Sequence, residues 1–160
     1  SSEDGCRLST LYQRVDENTK GNILLIRPAN ESECIIGCLL SCSFRPMLEQ
    51  IDRRNPDCVL FRLNGRNNSQ CWNVDYSGIR NDGGLSVDQR IVNTTNDYLQ
   101  IGISKTANFE QSGLYLDSKL NVGYSGKCDV FCDGQAYQRD GYTSKFIVGI
   151  VECYGLGHYR

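Results

Sequence analysis

One histidine, one methionine, one tryptophan and three prolines are all that this chain of 160 residues has of those types. A single histidine, His158, leaves little imidazole for chemistry. A serine–histidine–acid site would have to recruit it from the third-last position, and no Gly-x-Ser-x-Gly elbow exists to carry the nucleophile. A phosphate-cradling glycine loop is missing too; Gly83-Gly84 reads as a turn and Gly155-Leu156-Gly157 as a flexible terminus. Zinc takes four Cys or His ligands, commonly from two close pairs, and Cys128-x3-Cys132 is one pair with no histidine near it. Asp129, Asp133 and Gly134 lack the ligand spacing of a calcium loop. No metal and no cofactor are therefore expected. The longest apolar runs, Ile23-Leu24-Leu25-Ile26 and residues 146–151, are too short to span a bilayer. A net charge of -2 argues against nucleic acid as a partner.

What the chain does have is cysteine. There are nine, with three Asn-x-Ser/Thr sequons at Asn30, Asn67 and Asn93. Cysteine at this density suits an oxidising compartment, and sequons are used in the secretory pathway. Together they predict a secreted, extracellular glycoprotein, and Ser1-Ser2-Glu3-Asp4 reads as a mature N-terminus left by cleavage. Nine is odd, so one sulfur is left free or bonds a second chain. Cys42 is the first candidate for that role, which predicts a covalent homo-oligomer. Ten of the twelve arginines precede residue 91. Arg53, Arg54, Arg62 and Arg66 are candidate contacts for an acidic glycan, because the guanidinium fork suits sulfate and carboxylate; the interleaved Glu49, Asp52 and Asp57 allow the plainer reading of a solvated surface. Trp72 and the nine tyrosines offer stacking faces, with packing as their default role.

No repeat or proline-rich linker divides the chain, so residues 1–160 read as one domain. Residues 1–22 read as polar and irregular, residues 23–26 as a short buried strand. Residues 32–40 read as a helix capped by Asn30 or Ser32, with Glu31 and Glu33 in its first turn. Cys34, Cys38 and Cys42 recur every four residues and would share one helical face. Residues 43–57 read as a loop. A hairpin of residues 58–63 and 70–76 is signalled by Asn64-Gly65. Residues 85–92, 98–104, 113–122 and 146–154 are further strand candidates. The fold class that follows is α+β, one short helix packed on an antiparallel sheet and reinforced by disulfides.

Glu33-Cys34-Ile35-Ile36-Gly37-Cys38, then Cys58-Val59-Leu60-Phe61, then Cys71-Trp72, resemble a PAN/apple module over residues 6–104, with 105–160 as a β-rich extension. The resemblance implies disulfides Cys34–Cys71 and Cys38–Cys58 pinning helix to hairpin. It leaves Cys6 to meet Cys128, Cys132 or Cys153, and makes Cys42 extra. It also implies adhesion to a glycan or an extracellular protein without turnover. Two rivals stand beside it. One is a small secreted enzyme without cofactor, of the luciferase or oxygenase kind, whose apolar pocket would leave no motif. The other is an inhibitor of proteases or haemostasis, a use to which such modules are also put.

Overall fold

The computed structural model describes residues 7–14, 19–42, 57–65, 68–77, 91–104, 108–137 and 144–158. Among these residues one α-helix, α1 (Leu8–Arg14), precedes nine strands: β1 (Thr19–Pro28), β2 (Cys34–Leu40), β3 (Cys58–Asn64), β4 (Asn68–Asn73), β5 (Val92–Thr94), β6 (Tyr98–Ile101), β7 (Leu114–Asp117), β8 (Val122–Tyr124) and β9 (Lys145–His158). They form one antiparallel sheet in the order β4-β3-β2-β1-β9-β8-β7-β6-β5. The long β9 serves both halves. Residues 145–147 pair with β8, and residues 148–158 pair with β1 across a register shift at Arg27/Pro28.

The expected helix-on-sheet architecture is corrected at its centre, because residues 34–40 are strand β2. A spacing of four is close to one helical turn, but it is also even. On a strand, too, it keeps Cys34 and Cys38 on one face, about 13 Å apart rather than stacked within about 6 Å. The β-branched pair Ile35-Ile36 favours the pleated state, and the inner positions Ile36, Cys38 and Leu40 are fully buried. Gly37 faces outward where the sheet is tightest. A Cβ there would lie 1.9 Å from the Leu24 carbonyl oxygen and 2.9 Å from the Phe61 ring.

The helix that does exist lies in the segment expected to be irregular. Leu8, Leu11 and Tyr12 follow an i, i+3, i+4 spacing and all three are buried. The hairpin is where the Asn-Gly signal put it, with β3 and β4 paired from Val59↔Asn73 to Asn64↔Asn68. Residues 113–122 are two strands, not one. The Asp117 carboxylate accepts from the backbone N–H of Asn121 at 2.8 Å and of Val122 at 3.2 Å, and Leu120 takes φ +54°, closing a turn between them. Gly102, at φ +71°, ends β6 earlier than expected. Gly155 and Leu156 are not a loose tail; they pair with Asn22 and Gly21. Of residues 85–92 only the last two, and of the 43–57 loop only the last, fall among the described residues.

One core gathers side chains from both halves: Leu24, Ile26, Ile36, Leu40 and Leu60 with Leu99, Ile101, Leu114 and Leu116. The loop 128–134 ties the halves together. The Phe131 ring packs where Cβ atoms on Gly102 and Gly113 would stand, Gly134 lies against the Trp72 ring, and Val130 C=O accepts from Asp75 N–H at 2.8 Å.

No disulfide joins any of the described cysteines, which removes the reinforcement expected of them. For Cys34 and Cys71 the reason is geometric. Cys34 is on the inner face of β2, in line with Ile36 and Cys38, whereas Cys71 opposes Phe61 on the outer face of β4. The sheet stands between them. Cys38 and Cys58 share the inner face as neighbouring thiols.

Candidate functional site

The β1–β2 turn swings three polar residues over one end of the inner face. Asn30, at φ +64°, makes the turn, and Cys34 N–H closes it on the Glu31 carbonyl at 3.2 Å. Glu31, Ser32, Glu33 and Cys34 then line a cavity of about 340 Å³ together with Arg62 and Asn64 from β3 and Tyr137. Tyr137 is buried against the Phe146 ring, and its hydroxyl donates to Glu31 Oε1 at 3.2 Å, which fixes that carboxylate. Arg62 donates to the Gln70 side-chain oxygen. Burial first, and then the Glu31 carboxylate, push the Cys34 thiol above its ordinary range, while the Arg62 guanidinium pulls it down. The cleft therefore holds a protonated thiol near the Glu31 carboxylate and the Arg62 guanidinium, with Glu33 also on its wall.

Further along the same face lie more thiols. Trp72, Leu60, Cys38, Leu24 and Cys153 stand opposite one another across β4, β3, β2, β1 and β9. Cys58 and Asn22 sit one step along, on either side of Leu40. Cys38 shares a hydrogen bond with Cys58, and this bond, then full burial, then the nearby sulfurs of Cys58, Cys153 and Cys42, raise it well above the usual thiol range. Burial pushes Cys153 up to about 11. Asn22, 1% exposed, donates from Nδ2 to the Cys42 carbonyl at 3.0 Å, but its Oδ1 has no hydrogen-bond partner. An orphaned buried oxygen amid thiols is a costly arrangement.

The cysteine-bearing inner face thus opens at one end into a polar cleft. Residues 1–157 match the TLDc domain. The chain belongs to the TLDc domain family. Among curated proteins no match is found. TLDc domains are associated with resistance to oxidative stress. The PAN/apple assignment is thereby overturned, and with it the secreted glycan- or protein-binding adhesion protein, the luciferase or oxygenase, and the protease or haemostasis inhibitor. The glycoprotein, disulfide and covalent homo-oligomer readings, drawn from the sequons and the cysteine count, find no support in the family or in the described cysteines, none of which is joined in a disulfide. The error traces to the Cys-x3-Cys spacing, which the PAN/apple pattern needs on a helix and the TLDc domain places on β2.

Within the TLDc domain the sequence candidates are scattered. Of the four arginines only Arg62 is among the described residues, and it lines the cleft. Arg53, Arg54 and Arg66, like Cys6 and Asn67, lie outside them. Trp72 is half-buried against Gly134. Asn30 is exposed in the β1–β2 turn, and Asn93 is half-buried, its Nδ2 donating to the Tyr98 hydroxyl at 3.2 Å. Cys128 is buried and Cys132 exposed. Among the described residues no three His, Cys, Asp or Glu side chains gather closely enough to hold a metal ion, and no helix is long and apolar enough to cross a membrane. Sequence reasoning missed Glu31, Glu33 and Tyr137 as site residues. By sequence the two glutamates read as first-turn residues of a helix, and nothing local brings Tyr137 to Glu31, 106 positions away.

Proposed function

We propose that this TLDc domain contributes to resistance against oxidative stress through its own inner-face thiols. The observation that carries the reading is the gathering of three sulfurs around Cys38 on β2: Cys58 from β3, Cys153 from β9 and Cys42 from just beyond β2. Thiols are the groups of a protein that peroxide oxidises most readily, and the thiolate is the reactive form. Raised pKa values keep Cys38 and Cys153 protonated at neutral pH. Their oxidation is consequently slow. The family's association with oxidative stress gives that chemistry its context.

The test is survival under hydrogen peroxide of cells expressing the domain, against cells expressing a variant with Cys38, Cys58 and Cys153 replaced by alanine. Protection should fall to the level of cells without the domain. A variant that keeps its fold by circular dichroism and still protects fully would refute the thiol-based reading.

A further inference from the structure

Cys34 is half-buried and borders a cavity. At about 340 Å³ that cavity lies within the range of small-molecule sites. Its charges are arranged in a particular way. Glu31 and Glu33 supply two carboxylates, Arg62 supplies a guanidinium, and Ser32 and Asn64 add neutral polar groups around the thiol. Ammonium would be received by the carboxylates and carboxylate by the guanidinium fork, with sulfur between them. This is the complement of a sulfur-bearing amino-acid zwitterion.

We propose that the cleft binds small disulfides bearing an amino-acid zwitterion, and that Cys34 accepts one half of them as a mixed disulfide. The step rests on the thiol-based function above and gives it a small-molecule partner. It is an exchange, balanced without a further oxidant. Cys34 loses its proton, and its sulfur attacks one sulfur of the ligand. The ligand S–S bond breaks, a Cys34–S–S–R bond forms, and the departing R–S⁻ takes up a proton to leave as R–SH. Cys34 is oxidised and the released half is reduced.

The cleft also explains selectivity. With no ligand, Glu31 helps to hold the Cys34 thiol protonated and slow. A ligand ammonium paired with Glu31 cancels that repulsion at the moment of attack, so a zwitterionic disulfide activates the thiol it meets. A neutral disulfide does not.

The experiment treats the purified reduced domain with cystine, glutathione disulfide or uncharged bis(2-hydroxyethyl) disulfide, and maps modified cysteines by mass spectrometry over time. Cystine or glutathione disulfide should modify Cys34 about fivefold faster than the neutral reagent, as one screened ion pair supplies, and the advantage should shrink in high salt. The relative rates of the two charged reagents separate the two sources of the same chemistry. Glu31→Gln should invert the pattern, slowing cystine at Cys34 while speeding the neutral reagent. Cys34→Ser should abolish the modification without moving the thermal midpoint appreciably. Equal rates for all reagents, or first modification at Cys71 or Cys132, would overturn this assignment and leave the inner-face thiol reading standing. That reading fails separately, if peroxide leaves Cys38, Cys58 and Cys153 reduced.

Discussion

The two halves of the sheet are built from the same antiparallel strands but differ on both faces. In β4-β3-β2-β1 and the adjoining part of β9, the inner face carries Cys34, Cys38, Cys58, Cys153 and the under-satisfied Asn22. Its outer face leaves Leu39, Leu63, Ile150, Tyr154 and Leu156 exposed. None of β5 to β8 contains a cysteine. Their outer face is an aromatic cluster in which Tyr98, Tyr115, Tyr124 and Phe109 pack with ring centroids 5.1 to 5.9 Å apart. Two buried polar side chains of this half, Gln100 and Ser125, are paired. Gln100 Nε2 donates to Ser112 Oγ at 2.8 Å, and Ser125 Oγ donates to the Gly113 carbonyl at 2.7 Å while accepting from Ala136 N–H at 3.0 Å. Buried polar groups are almost always satisfied; among the described residues Asn22 Oδ1, beside the thiols, is one exception, and Asp129 Oδ1, in the loop joining the halves, is the other.

The comparison breaks most severely where the halves are joined. Phe131 is fully buried and rests on the bare backbone of Gly102 and Gly113, while its loop holds Trp72 through Gly134. Phe131→Ala is expected to cost about 3–5 kcal/mol, the usual range for emptying an aromatic site in a core. Trp72 fluorescence and far-ultraviolet circular dichroism would follow the denaturant titration together in the parent chain. In the variant the tryptophan signal should shift to lower denaturant first, because the loop loses its anchor on β6 and β7. Coincident transitions with an unchanged midpoint would show that the halves are held together elsewhere.

How far the sequence could be read follows the same division. The β3–β4 hairpin was legible because its signal is local: Asn64-Gly65 sits between two apolar runs. Strand β9 was legible as residues 146–154 and ran longer only because β1 and β8 both pair with it. Strand β2 was misread because a spacing of four satisfies two periods at once, and only partners from other strands decide between them. Helix α1 was missed although Leu8, Leu11 and Tyr12 carry the helical spacing, since one turn and a half of pattern stands out poorly from polar surroundings. Of the cleft, Cys34 and Arg62 were singled out, for a disulfide and for a glycan. Their meeting with Tyr137 depends on long-range packing, which no local pattern encodes.

Alkaline pH offers a milder way to separate the halves. Burial pushes Cys153 from 9.0 up to about 11. Above pH 9 the unfolded chain therefore releases this proton while the folded one keeps it, and stability is lost as pH climbs towards 11. Two pH units correspond to about 2.7 kcal/mol. Cys153 is half-buried, so solvent screening reduces the expected loss to about 1–2 kcal/mol. Cys38, also raised, acts in the same direction. Thermal melts under reducing conditions between pH 8 and 11 should fall less steeply for Cys153→Ser than for the parent chain. Parallel pH profiles would mean that Cys153 titrates in the fold as it does in the unfolded chain.

The smallest expected change is the most telling about why the two halves differ. Asn22 makes one hydrogen bond, from Nδ2 to the Cys42 carbonyl, and leaves Oδ1 buried without a partner. Leucine has nearly the same shape. Asn22→Leu forfeits the one bond, worth about 1 kcal/mol, and relieves an orphaned oxygen whose burial costs a similar amount. The net change in stability should stay within about 0.5 kcal/mol by urea titration. Ser125→Ala, its counterpart in the other half, loses both bonds of a satisfied hydroxyl and should be plainly destabilising. A neutral Asn22→Leu would mean that stability does not keep this amide in place. Cys38 and Cys153, which stand opposite Leu24, are its diagonal neighbours on β2 and β9, so the variant should instead alter how fast those two thiols are oxidised by peroxide. A loss of several kcal/mol on Asn22→Leu would make the amide an ordinary structural residue, and the contrast between the halves would then be one of packing alone.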